Sequence, residues 1–350
     1  MAQLGKYSLN SAMTNKNAGT CLWCFGTYAG KEYFIKEFLN PKYPYNDKVA
    51  TEATVARRKK DCEAFIEEKL KIYDRVNTCS DGNDVRICNF FREKTKFYIS
   101  MEKVESLEWE IRDFCALPEY EKRRLCAIIA HAVAGLHNGR LAHADLKHEN
   151  ILYTRTPNGN LTAKIIDFDS AFFENVYPQQ TVSGDQVYFA PEVWAHTGGM
   201  DLHLTCKVDL FALGVLFHRY FDEGRDPIFP TDTGCQYAGQ AVVMGLPVTV
   251  SERIPADIRE LLTRMLDPDP EQRPTAEEVF LFFQPEEAKQ AIAAAKAETP
   301  PVHYCCGCGR PMTTPGEFCE ACLNPVVTPN NEPAAQNNGG SYFHRAKDLF

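Results

Sequence analysis

Apolar and polar positions follow two different periods along the chain. Up to Val104 they alternate largely with period two, and beyond it they recur at helical spacing. Residues 21–38 alternate as strands do, with a turn between Gly26 and Lys31 and a second run at Tyr33 to Phe38. Residues 48–76 are charged and amphipathic and predict a long helix. Ser80 to Asn83 predicts a turn, and Val85 to Phe91 with Phe97 to Met101 predict a hairpin. Helices are then expected at Glu119 to His137, Val208 to Tyr220, Ala256 to Leu266 and Ala276 to Phe283. Residues 285–300 are rich in Ala, Glu and Lys and read as a helical linker. Residues 301–325 hold a cysteine cluster, and residues 326–350 have the Pro/Asn/Gly/Ala composition of a disordered tail. No internal repeat is visible.

Composition narrows the class. The 350 residues are 44% hydrophobic and 24% charged, which fits a globular protein and excludes a fibre or a coiled coil. The net charge of −9 gives the molecule as a whole no electrostatic footprint for nucleic acid. No run approaches the ~18 consecutive apolar residues of a membrane span, and Met1 to Thr20 lacks the pattern of a secretory signal. Of fourteen cysteines, nine are scattered before residue 240 and suit buried thiols of a reducing, cytoplasmic setting.

The densest chemistry lies at His143-Ala-Asp145-Leu-Lys147-His-Glu-Asn150. An Asp can orient or accept a hydroxyl proton, a Lys two residues on can neutralise a moving phosphoryl group, and an Asn five residues on can hold magnesium. Lys164-Ile-Ile-Asp167-Phe-Asp169 follows, a strand ending in an acidic pair, with Asp167 placed 22 residues after Asp145. Magnesium favours one or two carboxylates together with phosphate oxygens.

With these motifs in order, the sequence resembles the eukaryotic-like (Hanks-type) serine/threonine protein kinases over roughly residues 15–284. Tyr33-Phe-Ile-Lys36 resembles the strand that carries the nucleotide lysine, and Tyr98 to Val104 resembles the gatekeeper and hinge, with Met101 behind the adenine. His143 to Asn150 resembles the catalytic loop, Asp167-Phe-Asp169 the metal-binding motif, and Ala190-Pro-Glu192 the end of the activation segment. Asp209 resembles a buried anchor, and Arg273 the partner of Glu192. The resemblance implies an α+β, bilobal kinase-like fold, with a β-rich N-lobe at 1–104 and an α-rich C-lobe at 105–284. It implies ATP- and magnesium-dependent transfer of a γ-phosphoryl group to serine/threonine hydroxyls of a protein. Asp145 and Lys147 would be catalytic. Lys36, Met101, Glu102, Val104, Asn150 and Asp167 would bind nucleotide, and Asn150 and Asp167 would hold Mg. A nucleotide-binding pseudokinase scaffold and a small-molecule kinase on the same fold are the alternatives.

Four features depart from the family pattern. The phosphate-cradling stretch Thr14 to Cys24 carries one glycine, Gly19, where the family has three. Gly26 to Lys31 only superficially resembles a Walker loop and reads as a hairpin turn. Ala144 stands where many relatives carry an arginine, and no Lys or Arg occurs between Phe168 and Cys206, so a phosphate on Ser170, Thr181 or Ser183 would be repelled rather than ordered. Asp169 replaces a glycine, which either locks the active arrangement or adds a carboxylate near the metal. Asp185 replaces a threonine, and is expected to pair with Lys147 and to repel Asp145. The glutamate that should pair with Lys36 is either Glu63 or Glu68, which flank the apolar face of the 48–76 helix. The acidic segment from Asp167 to Asp201 favours a basic or neutral acceptor.

Cys305-Cys-Gly-Cys308 and Cys319-Glu-Ala-Cys322 are two Cys-x-x-Cys pairs with ten residues between them. Four thiolates on two tight turns make a closed tetrahedral zinc site, here of zinc-ribbon spacing, and the metal would supply the folding energy of so small a module. Such a ribbon and the tail after it are expected to bind a protein partner. Cys21-Leu-Trp-Cys24 falls on a strand, where its two thiols diverge, and reads as coincidence. His143 reads as a structural residue of the loop rather than a base.

Overall fold

The computed structural model describes residues 2–16, 21–45, 49–174, 182–298, 303–304 and 311–312. They fall into two compact units, one within Met1–Thr78 and Val85–Val104, the other within Cys79–Asp84 and Glu105–Cys319.

The first unit is an antiparallel sheet with one long helix. Its strands are β1 (Gln3–Leu4), β2 (Tyr7–Leu9), β3 (Leu22–Tyr28), β4 (Lys31–Phe38), β5 (Ile87–Glu93) and β6 (Lys96–Glu102), in the order β1-β2-β3-β4-β6-β5. Helix α1 spans Glu52–Cys79, starting four residues later than the sequence pattern predicts. The β3–β4 turn is tighter than expected. Tyr28 pairs with Lys31, and only Ala29 and Gly30 lie between them, at φ 50° and 76°. Two consecutive positive-φ residues match the right-handed twist of the flanking strands. Gly26 stays inside β3 opposite Tyr33, so the Walker-like stretch is a hairpin.

β6 has neighbours on both sides and five consecutive buried residues, Phe97 to Met101. The polar groups buried there find partners. Glu37 accepts from Lys96 Nζ at 2.5 Å and from Tyr98 Oη at 2.9 Å, and Ser100 Oγ shares a 2.6 Å hydrogen bond with Tyr7 Oη. Burial, together with the hydrogen bond and charge of Glu37, pushes the Tyr98 hydroxyl well above its usual range. Tyr7, fully buried with Leu4, Cys24, Ile35 and Tyr98, ties the short β1–β2 hairpin to the sheet.

The second unit is mostly helical: α2 (Ile111–Cys115), α3 (Glu119–Asn138), α4 (Pro191–Thr197), α5 (Lys207–Phe221), α6 (Ala238–Val243), α7 (Ala256–Met265), α8 (Ala276–Phe282) and α9 (Glu286–Glu298). Four short strands complete its core: β7 (Leu141–Ala142) pairs with β10 (Phe172–Phe173), and β8 (Ile151–Arg155) with β9 (Leu161–Ile165). α5 is apolar on every side and buried around nearly its whole circumference, which makes it the axis of this unit. The 79–84 segment joins this unit through Asn83, whose amide donates to the Ala163 carbonyl at 2.8 Å and whose own carbonyl accepts from Ile165 N. Two-residue strands β11 (His303–Tyr304) and β12 (Pro311–Met312) pair antiparallel on either side of residues 305–310. Cys305, Cys308, Cys319 and Cys322 lie outside the described residues, and so do Gly19, Thr181 and residues 326–350.

Candidate active site

The functional side chains of the second unit sit on a loop and a strand end fixed by α5. Asp209, in the first turn of α5 and fully buried, accepts from the backbone N–H groups of His143 and Ala144, both at 2.8 Å, and from His137 Nε2 at 2.9 Å. A buried carboxylate with three donors holds the loop at a fixed height on the helix. Ala144 adopts φ 63°, a conformation unfavourable for an L-residue, and its N–H bond to Asp209 holds it there. His143 is buried. Its Nε2 donates to the Ile166 carbonyl at 2.9 Å, its Nδ1 accepts from Asp145 N at 3.3 Å, and its ring packs on Phe168. Both ring nitrogens are occupied, so its part is structural.

From that platform Asp145 meets Lys147 and Asn150. Lys147 Nζ lies 2.9 and 3.2 Å from the two Asp145 oxygens. Asn150 Nδ2 donates to the Asp145 side chain at 2.9 Å and to its carbonyl at 2.8 Å. The amide nitrogen of Asn150 is thereby committed to Asp145, which leaves Oδ1 as the atom suited to a hard cation. Ile166 N donates to the Asn150 carbonyl at 3.0 Å, which fixes the start of the Asp167 segment beside Asn150. Asp167 itself takes φ 64°, a second strained residue at the site. One amide oxygen and one carboxylate form a donor set that fits magnesium, which binds few protein oxygens and keeps places for water and phosphate.

The activation-segment end is held to the same loop, but not as the sequence predicts. Asp185 does not pair with Lys147. Its carboxylate accepts from Val187 N at 3.0 Å and caps the short turn Gln186–Tyr188, while its own N–H donates to Asp145 Oδ1 at 3.0 Å. The side chain turns back on its own backbone as Asp commonly does, while the backbone N–H of the same residue hydrogen-bonds Asp145. Beyond it, Arg273 clasps Glu192 with two bonds of 2.6 and 2.8 Å and is fully buried, as the sequence pattern predicts. Gly239 of α6 lies so close to the Phe189 carbonyl that an added Cβ would stand 2.0 Å from its oxygen, so only glycine fits there.

In the first unit, Lys36 is buried in β4 between Trp23 of β3 and Ile99 of β6. Met101 is buried on β6 between Phe34 and Ile87, Glu102 ends that strand with its carboxylate accepting from Arg86 N at 3.1 Å, and Val104 follows half-buried. Neither glutamate proposed for Lys36 is buried. Glu63 is exposed, and Glu68 is exposed with the Lys69 ammonium 4.0 Å away. At ~100° per residue, Lys69 occupies the middle of the face formed by Cys62, Ile66, Tyr73 and Val76, and the charged residues this helix buries are Lys69 and Arg75. Cys24 is buried in β3 while Cys21 is half-buried before it, and among the described residues no group of three or more His, Cys, Asp or Glu could hold a metal.

A family model for the protein kinase domain matches residues 41–281, which contain the Asp145 loop, the Asp167 segment and the Glu192–Arg273 clasp. This chain belongs to the protein kinase family. Similar curated proteins include serine/threonine-protein kinase DCLK2 of Mus musculus, 26% identical over 288 residues and covering 79% of this chain and 34% of that protein. Serine/threonine-protein kinase/endoribonuclease IRE1 of Oryza sativa subsp. japonica is 25% identical over 313 residues, covering 81% of this chain and 31% of that protein. Calcium-dependent protein kinase 27 of Arabidopsis thaliana is 25% identical over 286 residues, covering 78% and 53%. The chain thus spans about a third of the first two and about half of the third.

Two histidines that the sequence motifs do not single out hold this loop in place. His137, at the end of α3, donates to Asp209. His148, passed over between Lys147 and Asn150, is buried and bonded at both ring nitrogens. Its position inside the loop motif was the available signal.

Proposed function

We propose that this kinase transfers the γ-phosphoryl group of ATP, with magnesium, to serine or threonine hydroxyls of a protein. The observation that carries this reading is Asp145, held by Lys147, Asn150 and the Asp185 N–H in one hydrogen-bonded group. Asp145 orients the acceptor hydroxyl or takes its proton. Lys147 stabilises charge on the moving phosphoryl group, and Asn150 and Asp167 hold magnesium, which screens the phosphate oxygens. Lys36 engages the α- and β-phosphates, and Met101, Glu102 and Val104 border the adenine. The retained set weighs against a pseudokinase, and the Glu192–Arg273 clasp favours a protein acceptor over a small molecule. The single glycine of the 14–24 stretch is read as an atypical phosphate cradle.

The acceptor is basic or neutral in this reading, because the segment from Asp167 to Asp201 carries no cation. For the same reason activity does not await phosphorylation of that segment. Ser183→Glu or Thr181→Glu that raised turnover would contradict this. Cys305, Cys308, Cys319 and Cys322 form a structural zinc ribbon, and with the tail it binds a protein partner. Zinc at one per chain, lost in Cys308→Ser, would support the site, and a zinc-free chain would sink it. The nine described cysteines are free thiols, which agrees with a reducing, cytoplasmic setting. Among the described residues no helix is long and apolar enough to cross a membrane. The whole reading is tested by incubating the chain with γ-labelled ATP, magnesium and basic protein acceptors, followed by phosphoamino-acid analysis. Label on serine or threonine is expected. Label on a small molecule alone would contradict it.

A further inference from the structure

The buried ring of His148 is bonded on both sides, and neither bond takes part in the chemistry assigned above. Its Nε2 lies 3.0 Å from the Trp109 carbonyl, and its Nδ1 lies 3.0 Å from Tyr220 Oη. Tyr220 Oη in turn lies 2.6 Å from Tyr153 Oη. His148 opens the turn His148–Asn150, Tyr153 lies on β8, and Tyr220 on α5. The two tyrosines are buried with almost no exposure, and burial holds both phenols far above their usual range, so each keeps its proton.

With the His148 ring in its neutral form, the donors fall into one order. A carbonyl oxygen only accepts, so His148 Nε2 carries a proton, and Nδ1 is left to accept from Tyr220. Tyr220 spends its single proton on that bond, so its oxygen must accept from Tyr153. The chain therefore runs in one direction: Tyr153 to Tyr220, Tyr220 to His148, and His148 to the Trp109 carbonyl. Its members are packed rigidly as well. Phe114 stacks on the Tyr220 ring at 3.7 Å between centroids, and Trp109 packs on Tyr153 at 5.2 Å.

We propose that His148, Tyr220 and Tyr153 are positioning residues for the transfer reaction: a one-way hydrogen-bond relay that fixes the His148–Asn150 turn to α5 and β8, and so aims the Asn150 amide at Asp145 and at the metal. A ring fixed at both nitrogens cannot rotate without losing both bonds. Asn150 lies two residues along the same turn, and its Nδ2 is bonded to Asp145. This inference rests on the kinase reading above, because it supplies a reason for magnesium to sense a residue that never touches it.

The direction of the relay makes a test that simple packing would not pass. Tyr220→Phe strands two groups, the Tyr153 O–H and His148 Nδ1. Tyr153→Phe strands none of the donors, since Tyr220 still donates to His148. The double variant Tyr153→Phe/Tyr220→Phe removes the stranded Tyr153 donor. The full-length chain and these three variants would be compared for melting temperature, for kcat and apparent KM for magnesium with a basic protein acceptor, and for the melting-temperature shift given by magnesium with ATP. His148→Gln, which can keep the donor to Trp109, would be run beside them. Three results are expected. Tyr220→Phe melts lower than Tyr153→Phe, and the double variant melts no lower than Tyr220→Phe. Tyr220→Phe loses ~10-fold in kcat with a raised magnesium KM, and its magnesium-ATP shift shrinks. His148→Gln lies between Tyr220→Phe and wild type in both readouts.

Additive melting losses in the double variant would overturn the relay. A lowered melting temperature with kcat, magnesium KM and the magnesium-ATP shift all unchanged would overturn the positioning role and leave only packing. If the wild type bound magnesium with ATP but transferred no phosphoryl group, the kinase reading would fail by itself, and the shift and the melting cycle would still decide the relay.

Discussion

The catalytic loop and helix α1 bury charge in opposite ways. Around the loop, each acid is met by several donors: Asp145 by Lys147 and Asn150 of its own loop and by the Asp185 N–H, and Asp209 by two consecutive N–H groups of the loop and by His137 of α3. Along α1 the buried charges are Lys69 and Arg75, while Glu63 and Glu68 stand in solvent. A carboxylate met by two or three donors is fixed in place by them. A charge on a long helix depends on where its neighbours fall around the axis, and a rotation of ~100° per residue separates burial from exposure. The loop holds its charges by several bonds each, while α1 turns Lys69 and Arg75 inward and Glu63 and Glu68 outward.

That contrast can be attacked from the strong end first. Arg273→Ala removes the fully buried side of an ion pair and strands Glu192, together with the Asp267 and Lys207 carbonyls. A loss of about 3–5 kcal/mol is expected in denaturant unfolding, and an effect under about 1 kcal/mol would deny the clasp its place. Asp209→Asn should cost about 2–4 kcal/mol by leaving a backbone N–H facing an amide instead of a carboxylate. Transfer should fall with it, read in melting temperature and turnover together.

Asp84 gives a smaller, pH-dependent effect. Burial pushes its carboxyl up to about 7, with Asp81 adding to the rise and Ser80 and Lys164 opposing it. Its folded value lies above its unfolded one, so the folded state holds the proton longer. Stability should be highest where both states are protonated, below about 4, and should decline as pH rises from there to about 7. Asp84→Asn should flatten that slope and raise stability at pH 8; the rise from 3.8 to about 7 sets a ceiling of ~4 kcal/mol, which the cost of burying an amide lowers. An unchanged slope in pH-dependent melting would remove Asp84 from the account. Smallest of all, Glu63→Gln and Glu68→Gln should each stay within about 0.5 kcal/mol and leave the KM for ATP within roughly twofold. A large rise in that KM for either would restore the expected partner of Lys36.

Much of this was readable in advance where chemistry is local. Asp145, Lys147 and Asn150 are spaced so that one short turn brings them together, and the pairing of Glu192 with Arg273 followed from the resemblance to the kinase family. The long helices were legible because α3 and α5 repeat their apolar positions over many turns. The β1–β2 hairpin was not, since strands of two and three residues carry too little alternation, and Tyr7 is buried by residues far along the chain, Ile35, Phe91 and Tyr98 among them. Asp185 was assigned the wrong partner because a side chain that can cap its own turn competes with one across the site. His148 hid for a related reason: its partners, Tyr220 and Trp109, are 72 and 39 residues away.

The central claim is that Asp145 serves a hydroxyl acceptor in phosphoryl transfer. It is tested most directly by measuring label transferred from γ-labelled ATP by the wild type and by Asp145→Asn, at equal folded concentration and saturating magnesium. The expected result is a loss of ~10³-fold in the variant, with magnesium and ATP still raising its melting temperature. Equal transfer by the two proteins would contradict the account.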